Sequence, residues 1–332
     1  MSRVDINAVA NACSVSKTTV SKVFTQKGSV SEAVRQQVLQ AARELNYTPR
    51  QVAARETIAI VTSRHTFTDS TSFRSMLLAS LMGRLTNDGL LLRIVFPEDI
   101  DVLMASHVKS AIVLVNGPDA EAVARSLRDM SISVVCINEV FEGCHSVSTD
   151  HGQGVDLALD HLTQQGHRRV AILLDSCQSW GARQRLEAYQ RAIAQGSIDN
   201  MQPHIHQPGT TTIVEILDQI RRDNATALLI QGESLVHETV YMLSLLRIRV
   251  PEDLSVISSE MPNRSRWLIP SHTTVDQHQD EVAEHAVKIV RSVIAGKARK
   301  PIVEMLPVTL IERKSVRPVS SDVADMSPTL SS

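Results

Sequence analysis

The chain has 332 residues, of which 43% are hydrophobic and 21% charged, and its formal net charge at pH 7 is −2. This ordinary globular mixture can bury a real core and is long enough for two or three domains. No apolar run reaches the roughly 18 residues of a membrane span, and no secretory signal is visible, so we expect a soluble cytoplasmic protein without a membrane partner. The four cysteines form no CxxC pair, which argues against a disulfide framework or a zinc site.

Charge is distributed unevenly along the chain. Residues 1–55 hold eight Lys or Arg against three acids, a balance of +5, whereas the remainder holds 26 basic against 33 acidic residues, a balance of −7. A basic head on a mildly acidic body indicates a module that binds a polyanion. The alternative is that these basic residues form only an ordinary solvated surface and bind no polyanion.

Three short helices are predicted in the head. Asp5 is suited to cap the first, Ser16 the second after a break at Ser14, and Ser31 the third. The first two helices and their tight turn form a helix-turn-helix. Apolar residues at helical spacing would close a small core, and they are Ile6, Val9, Ala10, Cys13, Val20, Val23, Val34, Val38, Ala41 and Leu45.

The second helix of such a unit enters the major groove of DNA. Lysine can donate to guanine and threonine can contact the methyl group of thymine. Short hydroxyl residues near a helix start suit phosphate oxygens. We therefore predict base contacts by Lys17, Thr18 and Lys22 and phosphate contacts by Ser16, Thr19 and Ser21. The alternative for the two lysines is a nonspecific phosphate contact or plain solvation.

A set of residues in the head matches one known pattern over some fifty residues, namely Val9-Ala10, Val15-Ser16, Thr19-Val20-Ser21, Val23, Val30-Ser31 and Leu45-Asn46-Tyr47-Thr48-Pro49. By these residues the head resembles the N-terminal domain of the lactose-repressor/galactose-repressor (LacI/GalR) family of bacterial transcription regulators. The resemblance implies a DNA-binding domain over residues 1–49, with Ser31 and Tyr47 also at the DNA. It places Lys17, Thr18 and Lys22 on base-reading positions, although the third usually holds arginine, and Ser14 where a turn glycine is usual, at a small cost in stability.

The linker at residues 50–57 is shorter than in the family, and no leucine stands between Pro49 and Ile58. Family members insert a hinge leucine into the minor groove at the operator centre. We therefore expect this protein to bend its site less than its relatives do, or to hold its two heads at a different spacing.

From residue 58 onward, apolar strands alternate with amphipathic helices. This pattern predicts two doubly wound parallel-sheet subdomains with a ligand cleft beyond the carboxyl ends of the strands. Strands are expected at 58–61, 90–96, 111–115, 134–138, 170–174, 226–231 and 254–258, and helices at 72–87, 119–129, 151–165, 181–195, 212–223 and 234–247.

The body also resembles the effector-binding core of the family, which is similar to periplasmic sugar-binding proteins. The resemblance implies an effector-binding and dimerisation domain over 58–317, with a first lobe at 58–148 and 276–300 and a second at 149–275 and 301–317. A helix at 277–295 would rejoin the first lobe, and a strand near 303–311 would return to the second. Motifs that carry it include Asp150-His151-x-x-Gly154, Arg183-x-Arg185-x-x-x-Tyr189 and Val250-Pro251-x-Asp253-Leu254.

The resemblance implies an effector site in the cleft, whose ligand would be a sugar, polyol or nucleoside. Arg185 stands where the family grips hydroxyls or a carboxylate, and Asn138 and Glu260 stand where aspartates are usual. The alternatives are a surface ion pair for Arg185, a core position for Trp180 and an exposed loop acid for Glu260. The full set of expected effector residues is His65, Asn138, Trp180, Arg185, Gly232, Glu233 and Glu260.

Enzyme motifs are lacking in the sequence. It contains neither a GxGxxG after a strand nor a GxxxxGK[ST], and its histidines have no acidic or cysteine partner at metal-ligand spacing. We therefore expect no enzymatic activity, no cofactor and no metal.

The tail at 318–332 is rich in serine and proline and has no leucine heptad, so it is predicted to be disordered. A homodimer that reads an inverted repeat in double-stranded operator DNA is favoured over a coiled-coil tetramer. The sequence thus predicts a nucleoid-associated transcription regulator, a repressor, modulated by a small carbohydrate-like effector. Alternatives are a regulator controlled by a partner protein through a degenerate cleft, or a ligand-binding protein or sugar-active enzyme with a vestigial head.

Overall fold

The computed structural model describes residues 5–25, 29–45, 47, 56–68, 72–175, 177–206, 209–262 and 264–319. The chain divides into two compact units, Met1–Glu56 with Gly89–Leu91 and the rest. Most of the linker and the tail beyond residue 319 lie outside the described residues, so the expectations of reduced bending and of a disordered tail remain predictions. No helix in the described ranges is long and apolar enough to span a membrane.

The head consists of three helices, α1 (Ile6–Ala12), α2 (Lys17–Thr25) and α3 (Glu32–Glu44). Asp5 caps α1 by accepting hydrogen bonds from the amides of Asn7 and Ala8, both at 3.0 Å. Helix caps satisfy backbone donors that have no partner within the helix. The apolar faces meet in a core of Val9, Ala10, Cys13, Val20, Val23, Val38, Ala41 and Ala42, against which Ile6, Val34 and Leu45 also pack.

Ser14, in the turn between α1 and α2, has a left-handed backbone with φ 51°. Only glycine adopts this conformation without steric cost. Ser14→Gly should therefore stabilise the head by up to about 1 kcal/mol. Hydrogen exchange of the head amides in the full-length protein measures this change. Ser21→Gly, within α2, is the matched control and should destabilise the head by about 0.5 kcal/mol; an unchanged or faster exchange in Ser14→Gly would contradict the prediction.

Within the described ranges the body contains two six-stranded sheets, each belonging to one lobe. The first has the order β11-β5-β4-β3-β1-β2 and the second the order β12-β10-β9-β8-β6-β7. In the first sheet, the neighbouring strands β11, β5, β4, β3 and β1 are parallel to one another. In the second sheet, the neighbouring strands β10, β9, β8, β6 and β7 are parallel, and β12 is antiparallel to β10. The strands are β1 (Thr57–Val61), β2 (Leu91–Val95), β3 (Ser110–Val113), β4 (Ser133–Ile137), β5 (His145–Thr149), β6 (Val170–Leu174), β7 (His204–Ile205), β8 (Ala227–Gln231), β9 (Ser255–Ser259), β10 (Thr273–Asp276), β11 (Val303–Leu306) and β12 (Thr309–Ile311).

Among the described residues, seven α-helices complete the body. Each of the predicted helices and strands is present with ends shifted by no more than a few residues, and β5, β7 and β10 are strands that the pattern did not predict. Cap residues explain several helix starts: Asp150 accepts from the amide of Gln153 at 2.8 Å, and Thr212 and Glu215 form a reciprocal capping box. The helices are α4 (Phe73–Asn87), α5 (Pro118–Asp129), α6 (His151–Gln164), α7 (Trp180–Ala194), α8 (Ile213–Arg222), α9 (Glu233–Leu245) and α10 (Gln279–Ile294).

The chain crosses between the lobes three times, after β5, after β10 and after β11. The predicted assignment of residues 301–317 to the second lobe is wrong in part. Strand β11 pairs with β5 of the first sheet, and only β12 joins the second sheet. The reason is the break at Pro307, which has no amide hydrogen to donate and ends the first strand. The crossing points contact one another, since the amide of Asp150 donates to the Leu306 carbonyl at 2.8 Å.

Candidate functional site

Helix α2 begins at a hydroxyl cap. The Ser16 Oγ accepts from the Thr19 amide at 3.0 Å and lies 2.9 Å from the Thr19 Oγ1. Both hydroxyls therefore have partners within the head. Their predicted phosphate contacts would have to be made in addition to this cap.

One face of α2 holds the helix to the core and the other is open to solvent. Val20 and Val23 are buried, whereas the residues at the exposed face are Lys17, Thr18, Ser21 and Lys22. These four positions are spaced i, i+1, i+4 and i+5 and so lie side by side on the helix. The structure thus places the three predicted base readers together on one accessible surface, the α2 face, which we define by these four residues.

Ser31 and Tyr47 have structural partners. The Ser31 Oγ accepts from the Val34 amide at 3.4 Å and caps α3. The Tyr47 ring is half-buried and lies 5.9 Å from the Phe24 ring, centroid to centroid. Contacts of these two residues with DNA remain predictions.

The body contains a cavity of about 570 Å³ at the carboxyl ends of strands from both sheets. Four of the predicted effector residues line it, namely His65, Asn138, Arg185 and Gly232. The pattern did not single out several other lining residues, among them Arg74, Asn116, His151, Asp175 and Gln277. The prediction of a cleft at this edge of the sheets follows the general rule for parallel α/β folds.

Asn138 has a left-handed backbone, with φ 55°, at the end of β4. Its Oδ1 accepts from the Ser148 Oγ at 3.3 Å and from the Thr149 amide at 3.2 Å. Asparagine tolerates this conformation better than most residues. Since the side-chain oxygen is engaged, the amide NH₂ is the group of Asn138 that can serve a ligand.

Glu260, a predicted effector residue, is not among the residues that line this cavity, and its effector role stays a prediction. The carboxylate is buried and accepts from Arg313 Nη1 at 2.8 Å and Nη2 at 3.3 Å, and also from the Thr274 hydroxyl. Arg313 also donates to the carbonyl of His272 at 2.7 Å. Because a buried carboxylate needs a cation and hydrogen bonds, it is held by these partners and does not line the cavity.

Trp180 is also absent from the cavity lining, and its predicted effector role stays a prediction. It is half-buried at the start of α7, and its ring lies 5.9 Å from the His151 ring at 60°. It therefore packs against His151, a residue that lines the cavity. The side chain of Glu233 lies outside the described part of the structure, so its predicted role is untested.

Glu139 is a buried carboxylate that the sequence did not flag. Its oxygens accept from the Gly117 amide at 2.6 Å and from the Trp180 amide at 3.1 Å. Burial raises the pKa of Glu139, and the two backbone hydrogen bonds oppose that rise. The Gly117 amide lies at the start of α5 in the first lobe, and the Trp180 amide lies at the start of α7 in the second. By accepting from both amides, the Glu139 carboxylate connects the two lobes beside the cavity.

His151 and Arg185 form a pair at the floor of the cavity. Arg185 Nη2 donates to His151 Nδ1 at 3.0 Å. Burial, with the Arg185 charge, holds the pKa of His151 well below its usual range, so the ring is neutral. Arginine cannot accept, so the ring proton must be on Nε2.

Two glycines permit close contacts at the cavity wall. A Cβ on Gly181 would lie 2.6 Å from Nε2 of His151, and a Cβ on Gly232 would lie 2.7 Å from the Asp175 carboxyl. Gly232 also has φ +143°, which side chains rarely adopt. Both the space available and the backbone conformation therefore require glycine at position 232.

Comparison with known proteins gives a consistent assignment. A model of the bacterial regulatory proteins of the lacI family matches residues 5–50, and a model of the periplasmic-binding-protein-like domain matches residues 159–316. The HTH-type transcriptional repressor PurR of Aliivibrio salmonicida is 25% identical over 94% of this chain and 98% of its own. The lactose operon repressor of Escherichia coli K12 is 25% identical over 95% of this chain and 91% of its own.

Among solved structures, the Lac repressor dimer bound to operator and the anti-inducer ONPF has a TM-score of 0.74 at 23% identity, covering 95% of this chain and 100% of that chain. This likeness extends the agreement in fold to both parts of the molecule. Residues 5–50 thus match the lacI family of bacterial regulatory proteins, residues 159–316 match a periplasmic-binding-protein-like domain, and the chain as a whole is similar to full-length repressors of the LacI and PurR type.

Proposed function

We propose that the protein is a sequence-specific DNA-binding transcription repressor whose operator affinity is modulated by a small polar ligand in the body cavity. The observation that carries this proposal is the α2 face, on which Lys17, Thr18 and Lys22 are exposed together while the opposite face is anchored in the core. Relatives that match over nearly the whole chain are named as repressors. We infer that the protein works by binding and not by catalysis.

The repressor is proposed to act as a homodimer at an inverted repeat. One three-helix head contacts too few base pairs for useful specificity, and two heads related by a two-fold axis read a palindrome. The second lobe exposes large apolar side chains that suit a contact with a second copy, namely Tyr241, Leu245, Trp267 and Ile269. Its site of action is the cytoplasm, at the nucleoid.

Ligand would control DNA binding through the body. Closure of the two lobes around the effector changes the separation of the two heads of the dimer, so that one state fits the half-site spacing and the other does not. The cavity of about 570 Å³, with arginine, histidine and asparagine in its wall, favours this proposal over a degenerate cleft controlled by a partner protein.

Selection of bound sequences from a random double-stranded DNA pool tests the proposal. Purified full-length protein at near-physiological salt should enrich an inverted repeat whose spacer reports the distance between the two heads. Enrichment of a single half-site would contradict the dimer, and folded protein that enriches no motif would contradict sequence-specific binding.

A further inference from the structure

We infer that Glu139 sets the balance between open and closed forms of the body when no effector is bound, by holding backbone amides of both lobes on one carboxylate. A ligand then shifts a balance that already favours closure. This inference rests on the proposed function only in taking lobe closure as the motion that controls DNA binding. It deepens that function by naming the residue that sets the closed fraction before a ligand arrives.

The carboxylate of Glu139 is shared between the lobes. Its Oε1 accepts from the Gly117 amide of the first lobe at 2.6 Å, and its Oε2 accepts from the Trp180 amide of the second lobe at 3.1 Å. Hydrogen bonds to a charged acceptor are stronger than those between neutral groups. Glu139 is 1% exposed, so water has little access to the carboxylate in this closed form. We call the carboxylate and these two amides the interlobe clasp.

The clasp caps two helices that belong to different lobes. Trp180 is the first residue of α7, and the Ser179 hydroxyl before it is engaged with the Ala182 amide at 3.1 Å. Gly117 precedes α5 and has no side chain with which to cap it. A helix start carries unpaired amides and a partial positive charge, which favour a carboxylate. Glu139 therefore supplies an acceptor that neither helix start has of its own.

The clasp lies away from the crossings between the lobes. The crossings follow β5, β10 and β11, whereas Glu139 comes after β4 and Gly117 after β3, one and two strands from β5. Neighbouring strands are about 4.8 Å apart, so the Gly117 end is displaced by roughly 10 Å from the strand that leads into a crossing. Rotation of the lobes about the crossings should therefore separate Trp180 from Glu139 and break the clasp.

Protein contacts alone bring the lobes together at this edge of the cavity. A Cβ on Gly117 would lie 3.8 Å from the Gln178 Cβ and 3.9 Å from the Ser179 amide nitrogen. These three residues line the cavity, but Glu139 does not. Glu139 would thus act on a ligand through the position of the two loops, which makes it a positioning residue.

The acceptors of the carboxylate, more than its charge, favour closure. Burial raises the pKa of Glu139, and the hydrogen bonds from Gly117 and Trp180 and the charge of Arg183 oppose that rise. The cost of burying the charge is thus offset in part by groups of both lobes. Without the carboxylate, closure would leave two amides at helix starts without an acceptor, whereas in an open body water could bind the Trp180 amide.

Pulsed spin-label distance measurements on the ligand-free full-length protein test the inference. The labels are placed at Ala122→Cys on α5 and Gln190→Cys on α7, which are exposed positions of the two lobes. Cys177, the exposed native cysteine, is replaced by serine. An excess of unlabelled protein keeps the labels of different copies apart. The parent should show mainly a short distance, from the closed body.

Removing the acceptor from the first lobe should open the body. Glu139→Met keeps the length of the side chain but provides no oxygen, and should lower the ratio of short to long distances at least fivefold. Glu142→Met removes an exposed acid from the same loop and is the matched control, which should keep the ratio of the parent.

Removing the donor from the second lobe should have the same effect and keeps the test available if Glu139→Met fails to fold. Trp180→Pro eliminates the amide hydrogen at the first position of α7, where proline is well tolerated. The extended backbone of Ser179, with ψ 155°, accommodates a following proline. Trp180→Ala loses the same ring but retains the amide, so this control should remain closed.

An unchanged ratio in Glu139→Met or in Trp180→Pro would overturn the inference. Equal opening in Trp180→Pro and Trp180→Ala would do the same, as would a parent that shows mainly the long distance. The DNA selection is independent of these measurements. A protein that enriches an inverted repeat but gives any of these results keeps its proposed function and loses only the interlobe clasp.

Discussion

Replacing Lys17 and Lys22 together by alanine should lower the affinity for the selected DNA site at least a hundredfold at near-physiological salt. Each base contact of this kind contributes about 1–3 kcal/mol, and a dimer presents four such lysines. Both side chains are exposed on α2, and alanine is a good helix former, so the head should remain folded. The loss would therefore report contacts with DNA and not unfolding.

Fluorescence anisotropy at several salt concentrations measures this effect. The salt dependence should become shallower, because fewer counterions are released from the phosphates. The matched control is the Lys297→Ala and Lys300→Ala double variant, which removes the same charge from exposed positions of the body and should bind as the parent does. Equal losses in both double variants would mean that overall charge, and not the α2 face, governs binding.

Arg313→Met should destabilise the body by about 3–5 kcal/mol, because it leaves the buried Glu260 carboxylate without its cation. The arginine is 17% exposed and the glutamate 8%, so little water is available to replace the lost contact. The substitution also removes donors to the His272 carbonyl and to the Thr274 Oγ1, the latter at 2.8 Å. The variant should nevertheless keep a cavity whose lining is unchanged, since neither partner borders it.

Urea denaturation of the full-length protein measures the free energy of unfolding. Arg249→Met is the matched control, because Arg249 pairs with Asp253 at 2.6 Å but is 70% exposed. Exposed pairs contribute about 0–1 kcal/mol. If Arg313→Met were no more destabilising than Arg249→Met, burial of the Glu260 pair would not contribute to stability in the way proposed here.

Much of the fold could be predicted from local sequence features, namely helix caps and the spacing of apolar residues. Asp5, Ser16 and Ser31 each precede an apolar periodicity, and each proves to be a helix cap. Buried strands such as 170–174 are continuous apolar runs, which can be identified in the sequence without knowing the strands with which they pair. The α2 face followed from the same periodicity, because the residues opposite a buried stripe must face outward.

The cavity was less predictable because its character depends on pairs far apart in the chain. Glu260 is engaged by Arg313, 53 residues later, and His151 is oriented by Arg185, 34 residues later. No local pattern distinguishes a carboxylate that faces a ligand from one that faces a distant arginine. Similarly, Pro307 marks a break between β11 and β12, but only their distant partner strands assign them to different sheets.

The three crossings between the lobes limit how the body can move. Each is one or two residues long, at Asp150, at 277–278 and at 307–308, and the Thr149 hydroxyl and the Gln277 Oε1 join two of them at 3.3 Å. We expect three short connections that lie side by side to resist sliding and twisting of one lobe against the other. Rotation of the lobes about a single axis is then the easiest motion. A ligand that closes the lobes as proposed would then set one angle between them, so that the body would transmit a single mechanical variable.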